Sequence, residues 1–157
     1  PLVGPPSLHA ARLQGGTELS VYAARCTLQV ERRTVPGETP EDALAEAETI
    51  LRRLSAADPT FRGNARILLA RSPFEVPPHA EIVRTVRTAA AHVLGTTPPD
   101  YGQAWWTDAA LLAAAGVETV MFGPTGGGAH TPQEWVDLQS LVNLAQVLAE
   151  TARAYCA

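Results

Sequence analysis

A glycine-rich segment with one histidine is the part of the sequence best suited to chemistry. Residues 123–134 read GPTGGGAHTPQE. Thr131 and Glu134 have capping-box spacing and Pro132 would be the first helical residue, so we expect a helix to begin here with His130 just outside it. A histidine at such a junction can ligate zinc through one ring nitrogen while another group holds the second nitrogen. The alternative, which spacing alone favours, is an ordinary glycine-rich loop with a surface histidine.

Neither common nucleotide-binding motif fits this segment. It lacks the Lys-Ser/Thr ending of a P-loop, and Thr131 stands where the dinucleotide fingerprint requires glycine. The chain carries 16 acidic against 12 basic side chains, a net charge of -4, and its arginines are scattered. We therefore expect no nucleic-acid partner. No apolar run approaches the ~20 residues of a membrane span and no leader is evident, so we expect no membrane partner and a cytoplasmic location.

The elements before residue 73 predict a β-β-α-β unit. Residues 7–13 and 19–34 read as strands joined at Gly15-Gly16, and alternation in the second strand predicts one buried face. A helix should begin at Thr39, with Pro40 in its first position. Residues 64–71 read as a third strand. The residues expected to face inward are Cys26, Leu28 and Val30 on the strand and Leu44, Ala47, Leu51 and Leu54 on the helix.

A cluster of prolines, Pro73, Pro77 and Pro78, predicts a linker, so we divide the chain into domains 1–75 and 76–157. The second domain reads as α/β. A helix should end at Gly95, and a shorter one should run from about Thr107 to Gly116. Residues 117–122 form an apolar run typical of a strand buried on both faces of a parallel sheet. The final helix has an apolar stripe comprising Trp135, Leu138, Val142, Ala145, Leu148 and Ala152.

Several segments, in order, resemble one family of di-zinc amidohydrolases and metallopeptidases, which includes acetylornithine deacetylase, succinyl-diaminopimelate desuccinylase and glutamate carboxypeptidase. Residues 106–112, 115–124 and 128–136 (WTDAALL, AGVETVMFGP and GAHTPQEWV) are similar to the end of its catalytic domain. Residues 31–40, ERRTVPGETP, resemble its lid, or dimerisation, domain. The resemblance implies a partial ferredoxin-like α+β lid followed by the C-terminal part of the α/β zinc-peptidase catalytic domain.

The resemblance also implies roles for four residues. His130 would be the last protein ligand to one of two zinc ions, with Co²⁺ or Mn²⁺ as alternative native metals. Arg33 would grip a substrate carboxylate through its planar fork, although a solvated ion pair is an alternative. Gly123 would contribute a backbone N–H to substrate, or would only satisfy turn geometry. Asp108 would contact substrate or order the site, or merely favour its helix N-terminus.

The implied activity is hydrolysis of an amide bond in N-acyl or N-carbamoyl amino acids or small peptides, by a homodimer formed through the lid. The sequence begins at Pro1 and contains no H-x-D segment or paired glutamates, which supply other ligands and the base in the family. We therefore expect an N-terminal half of the catalytic domain outside this chain, and no activity from the chain alone. The alternative is a non-catalytic lid or dimerisation module.

Overall fold

The computed structural model describes residues 2–157, which form two compact units, one up to Pro73 and the other Phe74–Ala157. The chain combines helices with two small sheets, so the predicted mixture of α and β structure is confirmed. The assignment of lid and catalytic domains, with a boundary after residue 75, stays a prediction. The elements in chain order are β1 (Ser7–Gly15), β2 (Cys26–Arg33), α1 (Pro40–Ala57), α2 (Glu81–Leu94), α3 (Ala109–Ala114), β3 (Gly126–Gly127), β4 (Trp135–Val136) and α4 (Leu138–Tyr155).

The first unit contains an antiparallel ribbon of β1 and β2. Ser7 lies opposite Arg33, the register is irregular between Ala10 and Arg12, and residues 16–25 connect the strands. The prediction that β2 buries one face is wrong, since Leu28 and Val30 are 55% and 46% exposed. A two-stranded ribbon buries a face only where another layer covers it, and no residue of β1 or β2 is buried.

Helix α1 begins where the sequence predicted. The Thr39 hydroxyl accepts from the Asp42 N–H at 3.1 Å, and the Asp42 carboxylate accepts from the Thr39 N–H at 2.9 Å. Pro40 occupies the first turn, where a missing N–H costs nothing. Leu44 and Leu51, on the predicted stripe, are partly buried.

The core of the second unit lies between α2 and α4. Its buried residues are Val86, Ala89 and Ala90 of α2 and Val147 of α4, and Ile82, Val93, Val120 and Phe122 pack around them. Helix α2 ends at Gly95, whose φ of 71° gives the left-handed cap that the sequence predicted.

Two predicted strands are not strands in the structure. Within residues 2–157, neither 64–71 nor 117–122 has a strand to pair with, and a parallel strand needs neighbours for its N–H and C=O groups. The second segment is covered on one side rather than both. Phe122 packs against the core, whereas Val117 and Met121 are 52% and 42% exposed.

The predicted inner face of α4 is also wrong. Val147 and Thr151 are buried, whereas Leu138, Val142 and Leu148 of the predicted stripe are exposed. The helix is apolar on more than one side, so periodicity alone could not identify the side that packs on α2. Trp135 lies in β4, before the helix begins.

Candidate functional site

His130 lies in the loop of a short hairpin that leads into α4. Gly126 pairs with Val136 and Gly127 with Trp135, so residues 128–134 connect the two strands. The predicted capping box at Thr131 is wrong. Its hydroxyl donates to the Gly128 carbonyl at 2.7 Å, which closes a turn within the loop instead of starting a helix.

The hairpin is fastened to the first turn of α4. Asp137 is the helix N-cap, and its carboxylate accepts from the Ser140 N–H at 2.7 Å. The Asp137 N–H donates to the Thr125 carbonyl at 2.9 Å, and the Ser140 hydroxyl accepts from the Thr125 N–H at 3.0 Å. These bonds hold the base of the histidine loop against a rigid element.

The three consecutive glycines of this hairpin each lie where a side chain would collide. A Cβ on Gly126 would lie 2.6 Å from the Trp135 carbonyl oxygen, and one on Gly127 would lie 2.9 Å from the Trp135 Nε1. Gly128 has a φ of 70°, and its Cβ would overlap the Gln133 carbonyl oxygen. The close approach of the strands therefore depends on glycine.

His130 is exposed and adopts a φ of 63°, a left-handed conformation that no other non-glycine residue of the described chain shares. Such backbone is uncommon outside glycine and is often found at ligand sites. Residues 2–157 contain no group of three or more His, Cys, Asp or Glu side chains that could hold a metal ion. A catalytic zinc normally takes about three protein ligands. His130 thus suits the role of one ligand, whereas these residues do not form a complete metal site.

Arg33 is the last residue of β2, in the first unit. Its side chain is 48% exposed, and its Nε lies 3.4 Å from a Glu31 carboxylate oxygen that also lies 3.1 Å from the His9 Nδ1. The surface ion pair considered above is therefore present. It is compatible with carboxylate binding, because an exposed pair is weak and exchanges partners readily. The role of Arg33 stays a prediction.

Arg32 forms a more extensive network, which sequence reasoning missed. Its guanidinium donates to Glu38 at 2.8 Å and to Glu46 at 3.2 Å, and its side chain is 19% exposed. Glu38 also accepts from the Val35 N–H at 2.9 Å. Arg32, and after it the Val35 N–H, lower the pKa of the Glu38 carboxyl. The acidic residues on the loop and on α1 were the only signal of this network in the sequence.

The other two predicted site residues are exposed positions of the second unit. Asp108 precedes α3 and makes no side-chain capping bond. A Cβ on Gly123 would meet nothing within 4 Å, so the structure shows no steric need for glycine there. Both roles stay predictions. His130 lies in the same unit as these residues, and Arg33 lies in the other.

The described helices are too short or too polar to cross a lipid bilayer.

Comparison with known proteins gives the family. Residues 8–154 match the description "Peptidase family M20/M25/M40". The chain is 30% identical to acetylornithine deacetylase of Myxococcus xanthus over 92% of its own length and 37% of that protein. It is 25% identical to N-formyl-4-amino-5-aminomethyl-2-methylpyrimidine deformylase of Bacillus subtilis strain 168, over 98% of the chain and 39% of that protein. It is 24% identical to succinyl-diaminopimelate desuccinylase of Hydrogenovibrio crunogenus, over 94% and 38%.

The chain spans about two fifths of the length of these curated relatives. The family match extends from the start of the ribbon to the last turn of α4, and so includes both units. The family predicted from the short motifs is confirmed: this chain belongs to the peptidase family M20/M25/M40.

Proposed function

We propose that this chain is part of a metal-dependent amide hydrolase that removes an acyl group from the nitrogen of a small, carboxylate-bearing amine. The observation that carries the proposal is the His130 loop, a strained and exposed histidine on a hairpin fastened to a helix, in a chain of this family. The relatives are named deacetylase, deformylase and desuccinylase, and each of these names describes loss of an acyl group from nitrogen. N-carbamoyl amino acids and small peptides belong to the same chemical class.

We assign His130 as one protein ligand of a zinc centre, with Co²⁺ or Mn²⁺ as alternative metals. A bound metal of this kind lowers the pKa of water and polarises a carbonyl. In this chain, Arg33 would hold the substrate carboxylate through its planar fork. The Gly123 N–H and the Asp108 carboxylate would contact the substrate or order the loop. The remaining ligands and the general base would lie outside this chain.

We further propose that the first unit is the lid and forms the homodimer. Its support is the ribbon, whose Leu8 and Leu13 are 61% and 69% exposed, because exposed apolar strands favour association. We place the enzyme in the cytoplasm, where free thiols persist, because Cys26 and Cys156 are both exposed and unpaired.

The test of the metal assignment is His130→Ala in the protein expressed from its whole reading frame. We expect loss of one metal ion and of most hydrolysis of N-acetyl, N-formyl and N-succinyl amino acids, with unchanged circular dichroism. The melting temperatures of the two proteins should agree once both are stripped of metal, because bound metal itself stabilises the folded state. His79→Ala is the matched control, because His79 is also exposed in the second unit. Full metal content and full activity in the His130 variant would contradict the assignment.

The test of substrate recognition is Arg33→Lys, which keeps the charge and removes the fork. Losing a charge-assisted bond of about 1.5–3 kcal/mol should lower kcat/KM roughly 10- to 150-fold with a carboxylate-bearing substrate. An unchanged kcat/KM would leave Arg33 as a surface ion pair. A metal-loaded, dimeric protein that cleaves no N-acyl compound would instead favour the alternative function, a non-catalytic lid or dimerisation module.

A further inference from the structure

The two consecutive arginines at the end of β2 have different surroundings. The Arg32 side chain is 19% exposed and the Arg33 side chain is 48% exposed. Successive side chains of a strand point to opposite faces, so the two guanidinium groups leave the ribbon on opposite sides. The two side chains are chemically identical, however, so a one-residue shift in the register of β2 would exchange the faces on which they lie.

Acidic partners fix Arg32 on its side. Its Nη2 donates to Glu38 at 2.8 Å, in the loop after β2, and to Glu46 at 3.2 Å, on α1. The Nη1 donates to the same Glu38 carboxylate at 3.3 Å. One guanidinium thus joins the strand, the loop and the helix, which a lysine ammonium could not do with the same planar geometry.

The network also acts on Arg33 itself. The Arg32 Nη1 donates to the Arg33 backbone carbonyl oxygen at 2.9 Å. Glu38 in turn accepts from the Val35 N–H at 2.9 Å, so the backbone on both sides of residue 34 is held by the same pair. The position from which the Arg33 side chain projects is therefore set by Arg32.

We propose that Arg32 is a positioning residue that, by binding Glu38 and Glu46, selects Arg33 as the arginine directed toward the substrate carboxylate. This inference rests on the proposed function, because it assumes that Arg33 recognises that carboxylate. Arg32 itself has no contact with substrate in this role. Its effect is to keep the end of β2 in one register and one orientation.

The experiment compares Arg32→Gln and Arg32→Lys in the protein from the whole reading frame. The substrates are an N-acetyl amino acid and its neutral carboxamide, which lacks the carboxylate. With Arg32→Gln we expect KM for the acid to rise at least about tenfold, as for loss of a bidentate contact, and KM for the carboxamide to change less than about twofold. Arg32→Lys should be intermediate.

The matched control is Arg52→Gln on α1. Arg52 is 68% exposed and lies 3.7 Å from its acidic partner Glu48, so the same change there should leave both KM values unaltered. Glu46→Gln supplies a second variant if Arg32→Gln does not fold. Equal losses with both substrates, or no loss with either, would overturn the positioning role.

A parallel Arg33→Gln variant separates this inference from the proposed function. If Arg33→Gln loses the acid selectively and the Arg32 variants do not, only the positioning role is wrong. If Arg33→Gln does not distinguish the two substrates, carboxylate recognition by Arg33 is wrong and the positioning role is overturned with it.

Discussion

Replacing Gly128 with alanine tests whether the shape of the hairpin holds His130 in place. Gly128 begins the loop, has a φ of 70°, and accepts from both the N–H and the hydroxyl of Thr131 through its carbonyl. An added Cβ would overlap the Gln133 carbonyl oxygen across the loop. The substitution therefore strains the backbone and forces the two sides of the loop apart.

The expected loss of metal affinity follows from the backbone strain and from the overlap with Gln133. A left-handed conformation costs a residue with a side chain about 1–2 kcal/mol relative to glycine. If the loop relaxes to avoid that strain, metal binding must restore it, which weakens affinity roughly 5- to 30-fold. The overlap with Gln133 adds to this cost, because the atom in the way belongs to the backbone and cannot rotate aside.

Gly95→Ala is the matched control. Gly95 has a φ of 71°, nearly the same as Gly128, but a Cβ there would meet nothing within 4 Å. The Gly95→Ala substitution should lower the free energy of unfolding by about 1–2 kcal/mol and leave metal affinity unchanged. Chelator competition and thermal melting of the intact protein measure both quantities.

The two loop variants distinguish the role of the hairpin from the role of the histidine. Normal metal affinity in Gly128→Ala, alongside loss of metal in His130→Ala, would show that the glycine geometry does not hold the histidine in place. Normal affinity in both variants would instead remove His130 from the metal site.

Three further predictions concern the second unit. Val147→Ala removes two methyl groups at a site that is 1% exposed and should lower the free energy of unfolding by roughly 2–3 kcal/mol. Val142→Ala, at a site that is 52% exposed, should lower it by less than about 1 kcal/mol. Equal melting temperatures would contradict the packing described for α4. The buried Thr151 hydroxyl has no hydrogen-bond partner among the described residues. Thr151→Val should therefore leave the free energy of unfolding unchanged or raise it by about 1 kcal/mol. A clear decrease in the free energy of unfolding would show that the hydroxyl does form a hydrogen bond. The His92 ring donates through Nδ1 to the Glu150 carboxylate at 2.9 Å, and this bond raises the pKa of His92. The pair therefore stabilises the fold fully below the unfolded pKa near 6.5 and loses this effect as pH rises through the higher folded pKa. NMR titration should show a lower His92 pKa in Glu150→Gln, and an unmoved midpoint would show that the pair does not form.

Local signals in the sequence were reliable where they required no partner from elsewhere. Thr39 caps α1 and Gly95 ends α2, because both devices act within one turn. The short motifs of residues 31–40 and 106–136, taken together, also identified the family.

The failures occurred where a distant partner decides the structure. Thr131 and Asp137 are both reasonable helix caps, and only pairing of Gly126 with Val136 selects Asp137. Helix α4 offers more than one apolar side, and contact with α2 decides which side is buried. Arg32 was overlooked because its partner Glu46 lies on another element, and nothing in strand periodicity indicates a bond to a helix.

The distribution of buried residues makes the two units respond differently to salt. None of residues 2–73 is buried, and Arg32, Glu38 and Glu46 bind β2 to α1 by charge, whereas Val147 and its neighbours give Phe74–Ala157 an apolar core. Screening shortens the reach of charge to about 3 Å at 1 M ionic strength, comparable to the 2.8 and 3.2 Å separations of the Arg32 pairs. Sulfate and other kosmotropic anions strengthen apolar burial. Rising sulfate concentration should thus loosen the ribbon from its helix while it tightens the packing of α2 on α4.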